Sequence, residues 1–340
     1  MDEFERRRRK KLKILRRKKR RRRRMLRLML MTTVIFTILV AAGTMIMSFH
    51  SKQKAASDAD SGDIEVFTDS IDQTGSKSGM AADRTVSLQL TDAQMHSGDL
   101  ILVSSERPYD FDANENMVRL VKITDAQTYN YPVDKEEFCL AESILPSLDS
   151  MIEDCDNAMG TRETGISSAY RTKEYQQQVW DDAAEEYGES YAEKYVAEPG
   201  YSEHHTGLAA DLGIFYDDGS YGTFTGSENA IWMAENCWKY GFVRRYAEDK
   251  TEITGISNEA WHFRYVGVPH AYYMTQNNLC LEEYLDYLER NASEEAPLTI
   301  EANDKSYRVF YTKENVIPKP EEKFEVSGDN DHGWIITLCE

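Results

Sequence analysis

The sequence predicts an α+β domain: a small, mainly antiparallel sheet flanked by helices around an open groove, preceded by one transmembrane helix and followed by a small β-unit. Three observations carry this. Between Thr85 and Arg290 short strand-length apolar runs alternate with stretches of helical spacing. Leu28 to Phe49 runs for 22 residues without a charge. After Asn291 the helical pattern stops and only strand-like segments remain.

Charge is segregated along the chain. Residues 1–27 hold 17 Lys+Arg against 3 Asp+Glu, a net of +14, while the whole chain is −19, so residues 28–340 carry −33. An acidic body repels phosphates and argues against nucleic acid as a partner. At a rise of ~1.5 Å per residue, residues 28–49 cross a ~30 Å hydrocarbon layer. The run exceeds the usual ~7–15 residues of a signal-peptide core, so it reads as an uncleaved signal anchor. The positive-inside rule places the basic residues 1–27 in the cytoplasm against lipid headgroups, and everything past His50 outside a single-pass cell membrane anchor. Residues 50–84 are rich in Ser, Asp, Gly and Lys and read as a disordered stalk. Residues 85–290 form the main domain and 291–340 the small β-unit.

Within the main domain, Asp99–Val103 and Met117–Val121 read as strands. Lys135 to Met159 has helical spacing, with Pro146 a point of kinking. Ile166–Tyr170 reads as a strand, Thr172–Tyr187 as a helix capped by Thr172, and Tyr191–Ala197 as a short helix. Gly207–Ile214 is a strand. Ser227–Tyr240 is a helix closed by Gly241 in a left-handed cap. Phe242-Val243 and His262–Val266 are strands, Pro269 opens a helix, and Leu281–Leu288 is another. Tyr187, Tyr191 and Tyr195 read as a helix face rather than a glycan platform, and His270 as a helix-start residue. Five cysteines outside the membrane permit disulfides; Cys237 and Cys280 are the expected pair.

The chemistry concentrates in two stretches. The first is Ser202-Glu203-His204-His205-Thr206-Gly207-Leu208-Ala209-Ala210-Asp211; the second is Glu259-Ala260-Trp261-His262-Phe263-Arg264. Catalytic zinc takes three protein ligands from neutral imidazole and carboxylate and keeps one position open. A loop delivering His204, a strand delivering Asp211 and a strand delivering His262 give that set. Glu259 lies three residues before His262. On a regular strand those positions face opposite ways, so Glu259 is expected in the preceding turn if it is to act as base. Arg171, at the end of its strand, is the expected donor to a developing oxyanion.

Ser202-x-His204-x-x-Gly207-x-Ala209-x-Asp211 followed by Glu259-x-Trp261-His262-x-Arg264-Tyr265 resembles the VanY-type D-alanyl-D-alanine carboxypeptidases. This zinc peptidase family is related to the D-Ala-D-Ala dipeptidases and to the metal-binding domain of hedgehog proteins. Ser168-Ala169-Tyr170-Arg171-Thr172 with Tyr175-Gln176 is similar to the family's substrate segment, and Tyr240–Tyr246 and Ile253–Ile256 lead into the second motif as they do there. The resemblance implies one Zn2+ per chain on His204, Asp211 and His262. It also implies Glu259 as base, Arg171 on the reacting carbonyl oxygen, and Ser202, Gln176 and Tyr170 holding the substrate's terminal D-alanine. Glu203 and His205 are read as neighbours, His205 standing where glutamine is frequent. The implied reaction trims terminal D-alanine from peptidoglycan stem peptides outside the cell. L,D-carboxypeptidase action on tetrapeptide stems and a non-catalytic peptide-binding module are the alternatives.

Overall fold

The computed structural model describes residues 87–339. The basic segment, the anchor and the stalk lie outside the described residues. Among the described residues no helix is long and apolar enough to cross a membrane.

Strand β1 (Ser87–Gln89) opens the fold, and β2 (Leu120–Lys122) pairs antiparallel with β3 (Cys139–Ala141). Helix α1 (Leu145–Met159) follows a single 3₁₀ turn. The expected helix over 135–159 is therefore replaced in its first half by β3. Pro146 does not kink it: Pro146 sits in the first turn, where its missing N–H has no partner to lose. Next come β4 (Thr164–Ser168), α2 (Lys173–Tyr187), α3 (Glu189–Tyr195), β5 (Ala209–Phe215) and β6 (Tyr221–Gly222). The Thr172 side chain accepts from the Tyr175 amide and caps α2 as expected. Helix α4 (Glu228–Asn236) tightens into a 3₁₀ turn that Gly241 closes at φ 82°. Then follow β7 (Phe242–Tyr246), β8 (Glu259–Tyr265), α5 (Val268–Gln276) and α6 (Leu281–Asn291). Five strands complete the chain: β9 (Leu298–Ala302), β10 (Lys305–Thr312), β11 (Val316–Pro318), β12 (Lys323–Gly328) and β13 (Trp334–Cys339).

The central sheet runs β4-β5-β8-β7, with β6 on the end of β5, and every pairing is antiparallel. Its inner face carries Ile166, Leu212 and Phe263, which pack with Leu148, Met151 and Ile152 of α1 and Met233 of α4 into the first core. The second sheet runs β12-β13-β10-β9. A second core joins Val309, Tyr311 and Ile335 of that sheet to Leu281, Leu285 and Leu288 of α6 and Met274 of α5. The apolar interior thus runs across residue 290 without a break. Strand β1 pairs with β11, so the start of the described chain is stitched to its last third.

Asp99–Val103 is not a strand. Asp99 and Leu100 lie in a turn, residues 100–103 are buried, and apart from the Leu102 amide, which donates to the Asp329 carbonyl (3.3 Å), side chains take the place of a ladder. The Leu100 amide donates to Ser327 Oγ (2.8 Å), Asn330 Nδ2 donates to the Leu102 carbonyl (2.9 Å), and the carbonyls of Asp99 and Ile101 accept from Arg264 Nη2 (2.8 and 3.1 Å). The expected Cys237–Cys280 bridge is also absent: both thiols are free and buried, Cys237 in the first core and Cys280 at the N-terminus of α6.

Candidate metal centre

Adjacent strands set the site. Asp211 on β5 is paired in register with Ser168 on β4 and with His262 on β8. His204 comes from the 3₁₀ turn Glu203–Thr206, which Ser202 caps by accepting from the His204 amide (3.3 Å). The turn ends at Gly207 with φ 70°, a left-handed conformation that suits glycine. A Cβ there would lie 2.7 Å from Leu120 and 3.2 Å from the Ala141 amide.

Three donor atoms, one each from His204, Asp211 and His262, lie within 4.8 Å of one another, and all three residues are buried. His204 Nε2 is 3.4 Å from Asp211 Oδ2, and His262 Nδ1 is 3.0 Å from Asp211 Oδ1. The far nitrogens are tied down. His204 Nδ1 meets the Ala169 carbonyl (2.8 Å), which leaves Nε2 facing inward. His262 Nε2 meets Glu203 Oε2 (3.2 Å), which leaves Nδ1 facing inward. Outer partners of this kind fix which nitrogen a metal can take.

Glu259 is the first residue of β8, not part of a preceding turn. Its reach comes from a bulge: Arg244 pairs with Phe263 but Tyr246 pairs with Glu259, so β8 spends two extra residues there. The bulge turns Glu259 to the same side as His262, with Oε2 3.9 Å from His262 Nδ1. Burial raises the Glu259 carboxyl to about 7, against the opposing pull of His262.

Arg171 is held on three sides. Its Nε and Nη2 donate to Ser168 Oγ (3.1 and 2.8 Å), Nη2 to Asp211 Oδ2 (3.2 Å), and Nη1 to Gln176 Oε1 (3.1 Å). A guanidinium has five N–H groups, so one on Nη1 is left over for a ligand. Gln176 is fully buried and its other end donates to the Ala197 carbonyl (2.7 Å), so it positions Arg171 from behind. Ser202 is likewise buried under its turn, and Tyr170 is half-buried beside Arg171.

The electrostatics suit a cation. Burial and the neighbouring Arg171 push His204 down to about 4. Burial works against His262 as a cation, yet hydrogen bonds to Asp211 and Glu203 outweigh it and raise His262 to about 9. Asp211 stays well below the usual carboxylate range despite its burial, because both imidazoles face it. A positive charge is thus favoured between Asp211 and the inward His262 nitrogen, while His204 is held neutral as a metal ligand requires. A divalent ion fits where that proton sits, in a set of two imidazoles and one carboxylate.

Glu203 is more than the neighbour it was read as. Its carboxylate is buried and accepts from Arg245 Nε (2.8 Å) and Arg264 Nη1 (3.2 Å) besides His262. Arg245 in turn forks onto Glu282 of α6 (2.9 and 2.6 Å). The charges of Glu203, Arg245 and Arg264 offset one another, which is what lets all three be buried. His205 also has a job. Its Nε2 accepts from the Gly200 amide (3.0 Å), so Nδ1–H donates to the Arg171 carbonyl (2.7 Å) and pins that segment.

A buried His/Asp/His set with a carboxylate and a guanidinium at its rim is the arrangement of a mononuclear metallopeptidase. A family model described as VanY, D-alanyl-D-alanine carboxypeptidase, matches residues 138–268. A D-alanyl-D-alanine carboxypeptidase of Enterococcus faecium is 32% identical over 261 residues, 76% of this chain and 80% of that protein. Another, of Enterococcus faecalis, is 41% identical over 169 residues, 46% of this chain and 60% of that one. Among solved structures, the vancomycin resistance D,D-dipeptidase VanXYg in complex with a D-Ala-D-Ala phosphinate analogue aligns with a TM-score of 0.65 at 30% identity, over 75% of this chain and 98% of that one. The chain belongs to the VanY family of D-alanyl-D-alanine carboxypeptidases and is an enzyme of the zinc metallocarboxypeptidase class.

Proposed function

We propose that this protein is a membrane-anchored, extracytoplasmic D,D-carboxypeptidase that removes the terminal D-alanine from peptidoglycan stem peptides. The carrying observation is the convergence of His204, Asp211 and His262 within 4.8 Å, with Glu259 at 3.9 Å from His262. These three residues would hold one zinc ion through His204 Nε2, an Asp211 oxygen and His262 Nδ1. When bound, the metal supplies Lewis acidity toward water and the scissile carbonyl. Glu259, raised toward neutrality by burial, takes a proton from the attacking water and passes it to the departing amine nitrogen. The C–N bond breaks and free D-alanine leaves. The spare Arg171 N–H faces the developing oxyanion, and Tyr170 borders the terminal D-alanine. Gln176 and Ser202 serve the same end indirectly, by holding Arg171 and the His204 turn. The uncharged run 28–49 and the basic residues before it support the anchored, outward-facing location.

Purified protein given a pentapeptide stem should release one D-alanine and leave the tetrapeptide, as read by mass. Complete chelation should abolish release and added zinc restore it. Full release after chelation, or by Glu259→Ala, would sink the mechanism. Equal release from a tetrapeptide stem would overturn the D,D preference. Proteolysis of the domain in intact cells tests the location; protection of residues 87–339 there would overturn it.

A further inference from the structure

A cavity of about 330 Å³ lies behind the turn that delivers His204. Its size is at the lower end for small-molecule sites. Thr206 and Leu208, on either side of Gly207, form one wall. Thr206 closes the turn: its hydroxyl donates to the Glu203 carbonyl (2.6 Å) and accepts from the Leu208 amide (2.9 Å). Ile101 and Val118 add apolar surface, and Met117, 52% exposed, stands at the lip.

The polar part of the lining calls for a donor. Asn114 ends the one-turn helix Phe111–Asn114 and is 4% exposed. Its Nδ2 donates to the carbonyls of His96 (2.7 Å) and Asp110 (2.8 Å). Two carbonyls fix which way the amide points, so Oδ1 is left as the acceptor. Oδ1 is buried, and no partner meets it among the described residues. A buried acceptor without a partner costs free energy that a ligand N–H would recover. Asp99 also borders the cavity, and burial raises its carboxyl to about 6 against the pull of Arg264. The cation among the lining residues, Arg119, is already paired with Glu142 (2.7 Å). The lining therefore offers acceptors and negative charge, and no free cation for an anion.

We propose that this cavity is an effector site for a small primary ammonium with a short apolar body, its N–H on Asn114 Oδ1 and its charge beside Asp99. The body lies against Ile101, Val118 and Leu208. Occupancy braces Thr206 and Leu208, and with them the His204 turn, so the ligand tightens zinc binding; this coupling rests on the metal-site reading.

The test titrates the full protein, loaded with zinc, by calorimetry with n-butylammonium, n-butyltrimethylammonium and n-butanol. The second probe keeps the charge but has no N–H, and the third keeps a donor but has no charge. n-Butylammonium should bind about 10-fold tighter than either. Val118→Phe, which fills the cavity from a half-exposed position, should abolish that preference, and Asp99→Asn should reduce it. Zinc content and a cooperative melt confirm that each variant is folded. Zinc affinity, by competition with a chromophoric chelator, should rise about 5-fold in saturating n-butylammonium. Equal affinity for the three probes, or an undiminished preference in Val118→Phe, as an amine sitting directly on the metal would give, overturns the site. Preferred binding that leaves zinc affinity unchanged overturns the effector role. Both failures leave the peptidase reading standing, since that reading is judged by D-alanine release alone.

Discussion

Glu203 touches no substrate, yet it decides which nitrogen of His262 can meet a metal. Replacing its carboxylate by an amide leaves Arg264 without an anionic partner and Arg245 with Glu282 alone, and frees the His262 ring to exchange tautomers. Glu203→Gln should weaken zinc binding by about 10- to 100-fold, measured by competition with a chromophoric chelator. A wild-type affinity in that variant would show that the tautomer is set elsewhere. Glu259→Gln makes the contrasting case. It should retain zinc and lose about 10²- to 10⁴-fold in kcat, read by D-alanine release. The residues bearing on chemistry were legible because metal ligands and a base have few acceptable side chains and come in ordered motifs. Glu203 was not, because the direction of a side chain on a 3₁₀ turn cannot be read from its neighbours. His204 and Glu203 are adjacent, and only the fold sends one toward the groove and the other toward two buried arginines.

At the scale of elements, the turn from Glu203 to Gly207 and the bulge in β8 do the aiming. Gly207 combines a left-handed backbone with no room for a Cβ against Leu120 and Ala141. Gly207→Ala should cost about 1–3 kcal/mol of stability, seen in denaturant unfolding, and should weaken zinc binding as the His204 turn shifts. Stability equal to wild type would mean that β2 and β3 yield easily. Helices with caps were readable from sequence: Thr172 before α2 and Gly241 after α4 carry their chemistry locally. The bulge was not, because it depends on how β8 registers against β7. Its effect is to make the i, i+3 spacing of Glu259 and His262 work within one strand. Asp99–Val103 failed as a strand for a related reason: most of its hydrogen-bond partners are side chains more than 160 residues away.

For the whole molecule, the second core governs stability. Leu281, Leu285 and Leu288 of α6 pack against Val309, Tyr311 and Ile335 of the last sheet. Each such side chain contributes about 1.5–3 kcal/mol on burial. A chain ended at Asn291 should therefore lose its cooperative melt, by calorimetry, and a sharp transition in that fragment would refute the shared core. His270 lies inside this core between the Tyr284 hydroxyl (2.8 Å) and the Thr337 hydroxyl (3.0 Å), and burial pushes it down to about 3. The unfolded chain takes up that proton near 6.5 and the folded one does not. The contribution is intact above pH 6.5 and falls as the pH drops toward 3, by up to about 1.4 kcal/mol per pH unit. Its imidazole NMR signals should stay fixed from pH 8 to 5; a shift over that range would show that the core admits the charge. Sequence composition marked the terminal β-unit but not its place in this core, which depends on contacts between elements far apart in the chain. Three buried cysteines have a practical outcome. Burial raises the thiols of Cys155, Cys237 and Cys280 to about 11, 12 and 12, so in the native state they are protonated and shielded. With no covalent cross-link among the described residues, alkylation of these three can proceed only when the surrounding structure opens. The protein carries its own clocks: labelling rates at Cys155 and Cys237 time the opening of the first core, and that at Cys280 times the release of the α6 start.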